Sequence, residues 1–178
     1  MGKQFWRVCL GAAIAALSLA TSVVSVAQGV TAVPKLDLAS YMGSYYEIAR
    51  LPNKLEKKCF SDVMVLYALG NHKRAFQIGT SCQLKDGTPD EYDNTGKQDK
   101  ALDGKLKLSR LIFLSTPYWV LATGPNYDWA LVGSPNHKSL WILSRSAKLD
   151  PETLTEIKSK ATAEGFDLSK LITVVQHH

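Results

Sequence analysis

The chain has 178 residues, of which 46% are hydrophobic and 21% are charged, and its 21 basic and 16 acidic side chains give a formal net charge of +5. This composition excludes a disordered or collagen-like chain and is sufficient for one domain with a substantial core. The basic residues are dispersed instead of clustered, so the charge gives no support to a nucleic-acid partner.

The first 27 residues have the pattern of a secretory signal peptide. Lys3 and Arg7 form a short positive region, a long apolar run follows, and small residues lead up to Ala27. We therefore predict a leader over residues 1–27, a domain over residues 28–178, and export to the periplasm or beyond. An uncleaved membrane anchor is the alternative interpretation of the same apolar run.

The three cysteines divide into one in the leader and two in the domain. Cys9 stands at the start of the apolar run, after Trp-Arg-Val, and therefore does not match a lipobox. We find no lipobox cysteine, so a lipid anchor has no support here, and association with the outer membrane or another membrane surface is an alternative to a free periplasmic location. Cys59 and Cys82 remain after export, and an oxidising compartment favours a disulfide between them.

The residues between these cysteines predict a β-hairpin. Two strand-like runs flank Gly70 and Asn71, residue types that tolerate a positive φ in a tight turn. If those two residues form the whole loop, Val65 faces Phe76, and the two cysteines of the predicted disulfide face one another. A metal site is the rival interpretation, but further ligands for it are missing.

Eight strand-like runs, separated by turn residues, fill the chain up to about residue 146. Their connections are too short for the crossover helices that parallel strands require, so we predict that each strand pairs with the next in an antiparallel meander. The predicted strands are Tyr45–Leu51, Val63–Leu69, Arg74–Cys82, Glu91–Lys97, Lys105–Leu111, Tyr118–Thr123, Tyr127–Val132 and Leu140–Arg145.

One amphipathic helix is predicted after the strands. Asp150 suits the N-cap, Pro151 suits the first helical position, and Gly165 suits the end of the helix. A ninth short strand over residues 171–175 follows. The apolar face of the helix carries Leu154, Ile157 and Ala161.

Eight antiparallel strands expose two edges unless the sheet closes on itself. Closure gives a barrel whose interior holds side chains or one small ligand. The fold class that we predict is therefore all-β: an eight-stranded antiparallel up-and-down barrel with one C-terminal α-helix packed on its flank.

The last three predicted strands have one aromatic face and one aliphatic face. The aliphatic face suits the helix, so we assign the aromatic face to the interior, where it forms an apolar cavity with a few hydroxyl and indole donors. Plain core packing is the alternative for each residue. The aliphatic face carries Trp119, Leu121, Ala130, Val132, Leu140 and Ile142. The predicted ligand-binding residues are Val63, Val65, Tyr67, Phe76, Ile78, Tyr118, Val120, Tyr127, Trp129, Leu131, Trp141 and Leu143.

Three sequence blocks in this order resemble the lipocalin family. They are YMGSYYEIARLPNKLEKKC at residues 41–59, YWVLATGPNYDWALVG at residues 118–133 and LWILSRSAKLDPETL at residues 140–154. The resemblance covers residues 36–175 and is to the bacterial lipocalin branch, which is related to apolipoprotein D. It implies an eight-stranded barrel whose calyx carries lipids or other small hydrophobic molecules.

The resemblance also assigns structural roles near the closed end of such a barrel. Gly43 matches a family glycine, but Tyr45 stands where the family has tryptophan. Arg145 matches an arginine that lies on that ring, so a Tyr45–Arg145 cation–π contact is implied. Asn126 replaces the aspartate that often precedes the tyrosine of the second block. Trp141 matches a position that lines the pocket.

The function implied by the resemblance is the binding, storage or transport of fatty acids or lysophospholipids, in support of cell-envelope lipids under stress. No catalytic, metal or cofactor motif occurs in the sequence, so we do not predict an enzyme. The alternatives are a lipocalin-fold enzyme, for which a free thiolate would supply chemistry, and a protein-interaction module or a homodimer formed through the rim. Lys54, Lys57 and Lys58 either attract a ligand headgroup or form an ordinary solvated surface.

Overall fold

The computed structural model describes residues 29–111 and 114–177, so the predicted leader and the start of the predicted domain at residue 28 lie outside the described residues. Within these residues, the chain forms nine strands, two α-helices and two short 3-10 turns. The strands are β1 Gly43–Arg50, β2 Ser61–Leu69, β3 Ala75–Gln83, β4 Pro89–Gln98, β5 Lys105–Leu111, β6 Leu114–Thr123, β7 Trp129–Gly133, β8 Leu140–Ser144 and β9 Ile172–Thr173, and the helices are α1 Leu38–Tyr41 and α2 Pro151–Ala163.

The first eight strands form a closed antiparallel barrel. Each strand from β2 to β7 pairs with the next along the chain, and β1 pairs with both β2 and β8, which removes the two edges. The short strand β9 then pairs with the outer part of β1. The predicted all-β barrel is therefore confirmed, as is the ninth strand, although β9 is shorter than predicted.

Helix α2 packs on the outside of the barrel, as predicted. The Asp150 side chain accepts a hydrogen bond from the backbone N–H of Thr153 at 2.8 Å, and Gly165 ends the helix with a φ of +86°. Ile157 and Ala161 are fully buried against the barrel. Within the part of the chain that the structure describes, no helix has the length and hydropathy needed to cross a bilayer.

Two predicted interior residues, Trp129 and Leu131, instead lie under α2 in the outer core, so their predicted orientation is wrong. The connection from β6 is longer than the assumed two residues, because a 3-10 turn over Pro125–Tyr127 precedes β7. A register shift in β6 between residues 120 and 122 then changes which side chains of β7 lie on the same face as the inward-facing side chains of β6. As a result Ala130 and Val132, which were predicted to face outward, face the interior.

The predicted register of the β2–β3 hairpin is also wrong. Val65 pairs with Thr80, not with Phe76, because the turn spans five residues and Arg74 takes the positive φ, at +66°. The register differs from the predicted one by four residues. Side chains alternate with a period of two, so this shift leaves every residue on its predicted face.

The predicted disulfide between Cys59 and Cys82 is present, with a Cα–Cα distance of 5.5 Å. The register did not locate it correctly: the ladder ends at the pair of Ser61 with Gln83, after a shift in β2, and Cys59 lies beyond this ladder. In the chain-entropy model, closing a loop of this length stabilises the fold by about 3 kcal/mol. The bond ties the start of β2 to the end of β3.

The two ends of the barrel are built differently. The N-terminal segment crosses one end, where the N–H of Val33 donates to the carbonyl of Val120 at 2.9 Å, and α1 covers the same end. We call this the closed end. The loop over residues 51–60, between β1 and β2, covers the opposite end, which we call the mouth.

Candidate ligand-binding site

A cavity lies inside the barrel next to the mouth. Its volume is about 100 Å³, which is room for several water molecules. Together with the open solvent at its mouth, the recess has about 640 Å³ of atom-free space. Its lining residues come from six strands and the mouth loop: Leu55, Glu56, Val65, Ile78, Thr80, Tyr92, Asn94, Leu108, Thr116, Tyr118 and Trp141.

The predicted ligand-binding residues divide into a lining group and groups that lie elsewhere. Four of them line the cavity: Val65, Ile78, Tyr118 and Trp141. Four others face the interior but are packed with closed-end residues in the core and do not line the cavity: Tyr67, Phe76, Val120 and Leu143.

Two further predicted residues lie away from the cavity. Val63 is buried in a separate cluster, where it packs with the disulfide and Val174. Tyr127 belongs to the 3-10 turn before β7, where its hydroxyl accepts a hydrogen bond from the N–H of Asp37 at 3.0 Å. It therefore packs at the closed end and is not a strand residue of the cavity wall.

Sequence reasoning missed the polar residues of the cavity wall. Thr80, Tyr92 and Asn94 point inward from β3 and β4, where alternate residues are buried, yet the β4 sequence is polar on both faces. The inward face of β3 includes Thr80 if the period-two pattern is extended along that strand. The residues of β4 that pair with this face, Tyr92 and Asn94, would then also be predicted to face inward. The inward position of Glu56 had no signal in the sequence, because it lies in a loop between two lysines and a leucine.

Five side chains meet at the mouth of the cavity; we call Arg50, Asn53, Glu56, Tyr92 and Trp141 the mouth cluster. The Glu56 carboxylate accepts hydrogen bonds from Trp141 Nε1 at 3.0 and 3.2 Å and from the Tyr92 hydroxyl at 3.2 Å. Asn53 Nδ2 donates to the same carboxylate, and Arg50 Nε lies 3.6 Å from it. Glu56 is only 5% exposed, so these contacts replace its water.

A second buried carboxylate shares Arg50 with Glu56. Arg50 Nη1 lies 2.7 Å from Glu47 Oε1, and Arg50 Nη2 donates to the carbonyls of Glu56 and Cys59. Glu47 is fully buried, and its other carboxylate oxygen has no hydrogen-bond partner in the described structure. Burial and the charge of Glu56 raise the pKa of Glu47 well above its ordinary range, although Arg50 opposes the shift.

The raised pKa of Glu47 predicts a pH-dependent stability. The folded protein holds this proton to higher pH than the unfolded chain does, so the free energy of unfolding falls as pH rises above about 4.5 through the raised pKa. We expect Glu47→Gln to flatten this fall. Urea unfolding of both proteins between about pH 4.5 and 8 measures it, because the difference cancels the groups that they share. Glu91→Gln, at an exposed position on β4, is the control; an unchanged fall in Glu47→Gln would contradict the assignment.

The remaining hydrogen-bonding groups near the cavity floor are uncharged. The hydroxyls of Tyr67 and Tyr118 lie 2.6 Å apart, and burial raises the pKa of both well above the ordinary value for tyrosine. The Tyr118 ring packs 5.2 Å from that of Trp141, between centroids. Below the mouth cluster, the cavity therefore presents neutral and mostly apolar surface.

Arg145 holds the closed end together. Its guanidinium carbon lies 3.7 Å from the centroid of the Tyr45 ring, which confirms the predicted cation–π contact. The same guanidinium donates to the carbonyls of Tyr41 and Met42 at the end of α1 and of Ser44 in β1. Burial raises the pKa of Tyr45 to about 12, so the ring under Arg145 is neutral.

Gly43 is required at the start of β1 for two reasons. Its φ is +103°, a conformation that favours glycine, and a Cβ at this position would lie 2.8 Å from Arg145 Nη1. Gly43 therefore lets the arginine reach the ring and carbonyls of the closed end. This is consistent with the structural role that the sequence predicted for it.

The three lysines of the mouth loop, Lys54, Lys57 and Lys58, are exposed. Between them, Leu55 is 42% exposed and also lines the cavity. The loop thus presents apolar and acidic side chains inward and basic side chains outward. In residues 29–111 and 114–177, no group of three His, Cys, Asp or Glu side chains is arranged to hold a metal ion.

The sequence has relatives among proteins of plants, bacteria and animals. A temperature-induced lipocalin of Arabidopsis thaliana is 34% identical over 156 residues, which cover 76% of this chain and 77% of the relative. The outer membrane lipoprotein Blc of Escherichia coli (strain K12) is 33% identical over 153 residues, 84% of each chain. Apolipoprotein D of Mus musculus is 32% identical over 151 residues, 79% of this chain and 77% of that one.

Solved structures show the same fold at lower identity. Insecticyanin from the tobacco hornworm Manduca sexta has a TM-score of 0.64 and 22% identity, covering 82% of this chain and 83% of its own. The cockroach allergen Per a 4 has a TM-score of 0.65 and 17% identity, covering 82% and 92%. A family profile described as a lipocalin-like domain matches residues 36–176. With this match and relatives more than 30% identical over most of both chains, the protein belongs to the lipocalin family.

Proposed function

We propose that this protein binds one small hydrophobic ligand, with the acyl chain of a fatty acid or lysophospholipid inside the barrel. The observation that carries the proposal is the cavity itself: a recess with apolar walls and few polar groups, closed at one end and covered by a loop at the other. Membership of the lipocalin family supports it. Cavities of this composition are typical of sites for apolar ligands.

Binding of this kind is partition into an apolar site and needs no catalytic group. Each methylene removed from water contributes about 0.8 kcal/mol, so an acyl chain gains affinity with every carbon that the recess accepts. Ordering and association costs reduce the sum, which leaves affinities of roughly micromolar. Cys59 and Cys82 are joined in a disulfide, so neither supplies the free thiolate on which the alternative of an enzyme depended.

The proposal includes a location in the cell envelope and a role in lipid maintenance under stress. One bacterial relative is named as an outer membrane lipoprotein, and the plant relative is named as temperature-induced. The leader pattern of residues 1–27 supports export, and the disulfide suits an oxidising compartment. Fatty acids and lysophospholipids released from a damaged bilayer are the ligand class that fits this setting.

Displacement of a fluorescent apolar reporter tests the proposal. Protein freed of lipid by unfolding and refolding on a hydrophobic resin is titrated with N-phenyl-1-naphthylamine, and 1-decanol is then added as competitor. We expect enhancement of reporter fluorescence with a dissociation constant of roughly micromolar and full displacement by 1-decanol. Native mass spectrometry of the gently purified protein should show a bound acyl species. Absence of both signals would contradict the proposed function.

A further inference from the structure

The mouth cluster gathers hydrogen-bond donors around one point, and the carboxylate of Glu56 occupies that point. Trp141 Nε1 and the Tyr92 hydroxyl donate directly to it, and the guanidinium of Arg50 lies within 4 Å. An indole N–H and a guanidinium are donors only, so neither can satisfy another donor. The surroundings of this point are therefore built for a carboxylate or phosphate group.

Glu56 reaches this point from a loop whose turn has backbone hydrogen bonds of its own, in addition to the bond from Asn53 Nδ2 to the Glu56 carboxylate. The backbone N–H groups of Leu55 and Glu56 both donate to Asn53 Oδ1 at 3.0 Å, which fixes the turn of the loop. Glu56 lines the cavity together with Leu55. A Glu56 side chain that leaves the donors loses the hydrogen bond from Asn53 Nδ2, but the two backbone hydrogen bonds of the turn do not involve its carboxylate.

The charges at the mouth permit the Glu56 carboxylate to be exchanged for another anion. Glu47 and Glu56 share Arg50, and burial together with the charge of Glu56 raises the pKa of Glu47. With Glu47 protonated, one guanidinium balances one carboxylate. A singly charged ligand anion that takes the place of the Glu56 carboxylate preserves this balance, so no uncompensated charge is buried.

We infer that the mouth cluster is the binding site for an anionic headgroup, a carboxylate or a phosphate, and that Glu56 fills this site as an internal substitute in the unliganded protein. The inference rests on the proposed function, because the headgroup belongs to the ligand whose chain enters the cavity. Glu56 then competes with anionic ligands and lowers their apparent affinity. A neutral ligand of the same chain length does not need these donors and escapes the competition.

Replacing Glu56 by alanine separates the headgroup from the chain. The dissociation constants of decanoate, methyl decyl phosphate (a singly charged phosphodiester) and 1-decanol are measured by reporter displacement for the wild type and Glu56→Ala at pH 8. We expect the affinity for at least one of the two anions, relative to 1-decanol, to rise by about fivefold or more. The two anions distinguish a carboxylate headgroup from a phosphate. Glu91→Ala, which removes an exposed carboxylate beside Tyr92 on β4, is the matched control and should leave both ratios within about twofold.

Two further measurements identify the donors. Adding Tyr92→Phe to Glu56→Ala removes one hydroxyl donor of the mouth cluster and keeps the ring, so the anion-to-decanol ratio should fall by about threefold or more. In the wild-type protein, the indole N–H resonance of Trp141, assigned with Trp141→Phe, should shift on addition of decanoate in a manner that 1-decanol does not reproduce. This second readout needs Glu56 intact and therefore does not depend on how the variant folds.

The outcomes separate this inference from the function on which it rests. If 1-decanol binds but the anion ratios of Glu56→Ala equal those of Glu91→Ala, the headgroup site is wrong and the proposed function stands. If 1-decanol and the reporter fail to bind every variant, the proposed function fails and the headgroup site fails with it. A raised ratio that Tyr92→Phe lowers supports the inference.

Discussion

Arg145→Ala is expected to lower the free energy of unfolding by about 3 kcal/mol, one of the two largest effects that the structure predicts. The guanidinium donates to the carbonyls of Tyr41, Met42 and Ser44 and lies on the ring of Tyr45. The last carbonyls of α1 have no partners within so short a helix, so removal of the arginine takes the donor from the Met42 carbonyl and leaves the Tyr41 carbonyl with the Tyr45 hydroxyl alone. Urea denaturation followed by circular dichroism measures the change.

Lys105→Ala is the matched control for the contact between cation and ring. Lys105 Nζ lies 4.4 Å from the centroid of the Trp119 ring on β6. A cation–π contact near the surface contributes about 0.5–1 kcal/mol, so this variant should lose no more than that. A loss of similar size in the two variants would contradict the role of carbonyl binding. Arg145→Lys, which keeps the charge but has fewer donors in a different geometry, should fall between them.

The parts of the fold that follow from local pattern were predictable from the sequence. Period-two alternation located the strands, and the residues Asp150 and Gly165 located the limits of α2. The hairpin register was wrong by an even number of residues, so the side chains of β2 and β3 still lie on the faces that were predicted for them. Local alternation therefore determines which face a residue occupies more reliably than it determines which residue lies opposite.

The parts that failed depend on geometry that leaves no local signal. A register shift of one residue in β6 reverses the faces of β7, and with them the positions of Trp129 and Leu131. A hydrophobic residue is equally acceptable in the interior and under α2, so composition did not correct the error. At the candidate site, Val65, Ile78, Tyr118 and Trp141 were predicted correctly as inward-facing wall residues.

The burial of Glu56 was also not predictable from the sequence. A carboxylate is rarely buried, so a sequence rule places it in solvent. Its burial here depends on Arg50 nearby in the chain and on donors from two distant strands, at Tyr92 and Trp141. No spacing in the sequence brings these residues together, and the mouth cluster becomes visible only when the barrel closes.

Leu108→Trp is expected to weaken the binding of 1-decanol by at least about tenfold. Leu108 lies on β5 in the cavity wall and is only half-buried, so a larger side chain can extend into the open recess without displacing the packed core. Excluding two methylenes of the ligand costs about 1.6 kcal/mol, which exceeds the 1.4 kcal/mol that corresponds to a factor of ten. The change in stability should stay below about 1.5 kcal/mol, because the added ring enters empty space.

The same substitution on the opposite face of the barrel provides the control. Leu66 on β2 is 54% exposed and points away from the cavity, between the inward-facing Val65 and Tyr67. Leu66→Trp should leave the dissociation constant of 1-decanol within about twofold of the wild type. If Leu108→Trp binds as tightly as Leu66→Trp while both remain folded, the ligand does not occupy this cavity. If only Leu108→Trp loses binding, the interior recess is the binding site, since the two variants differ only in the face on which the tryptophan stands.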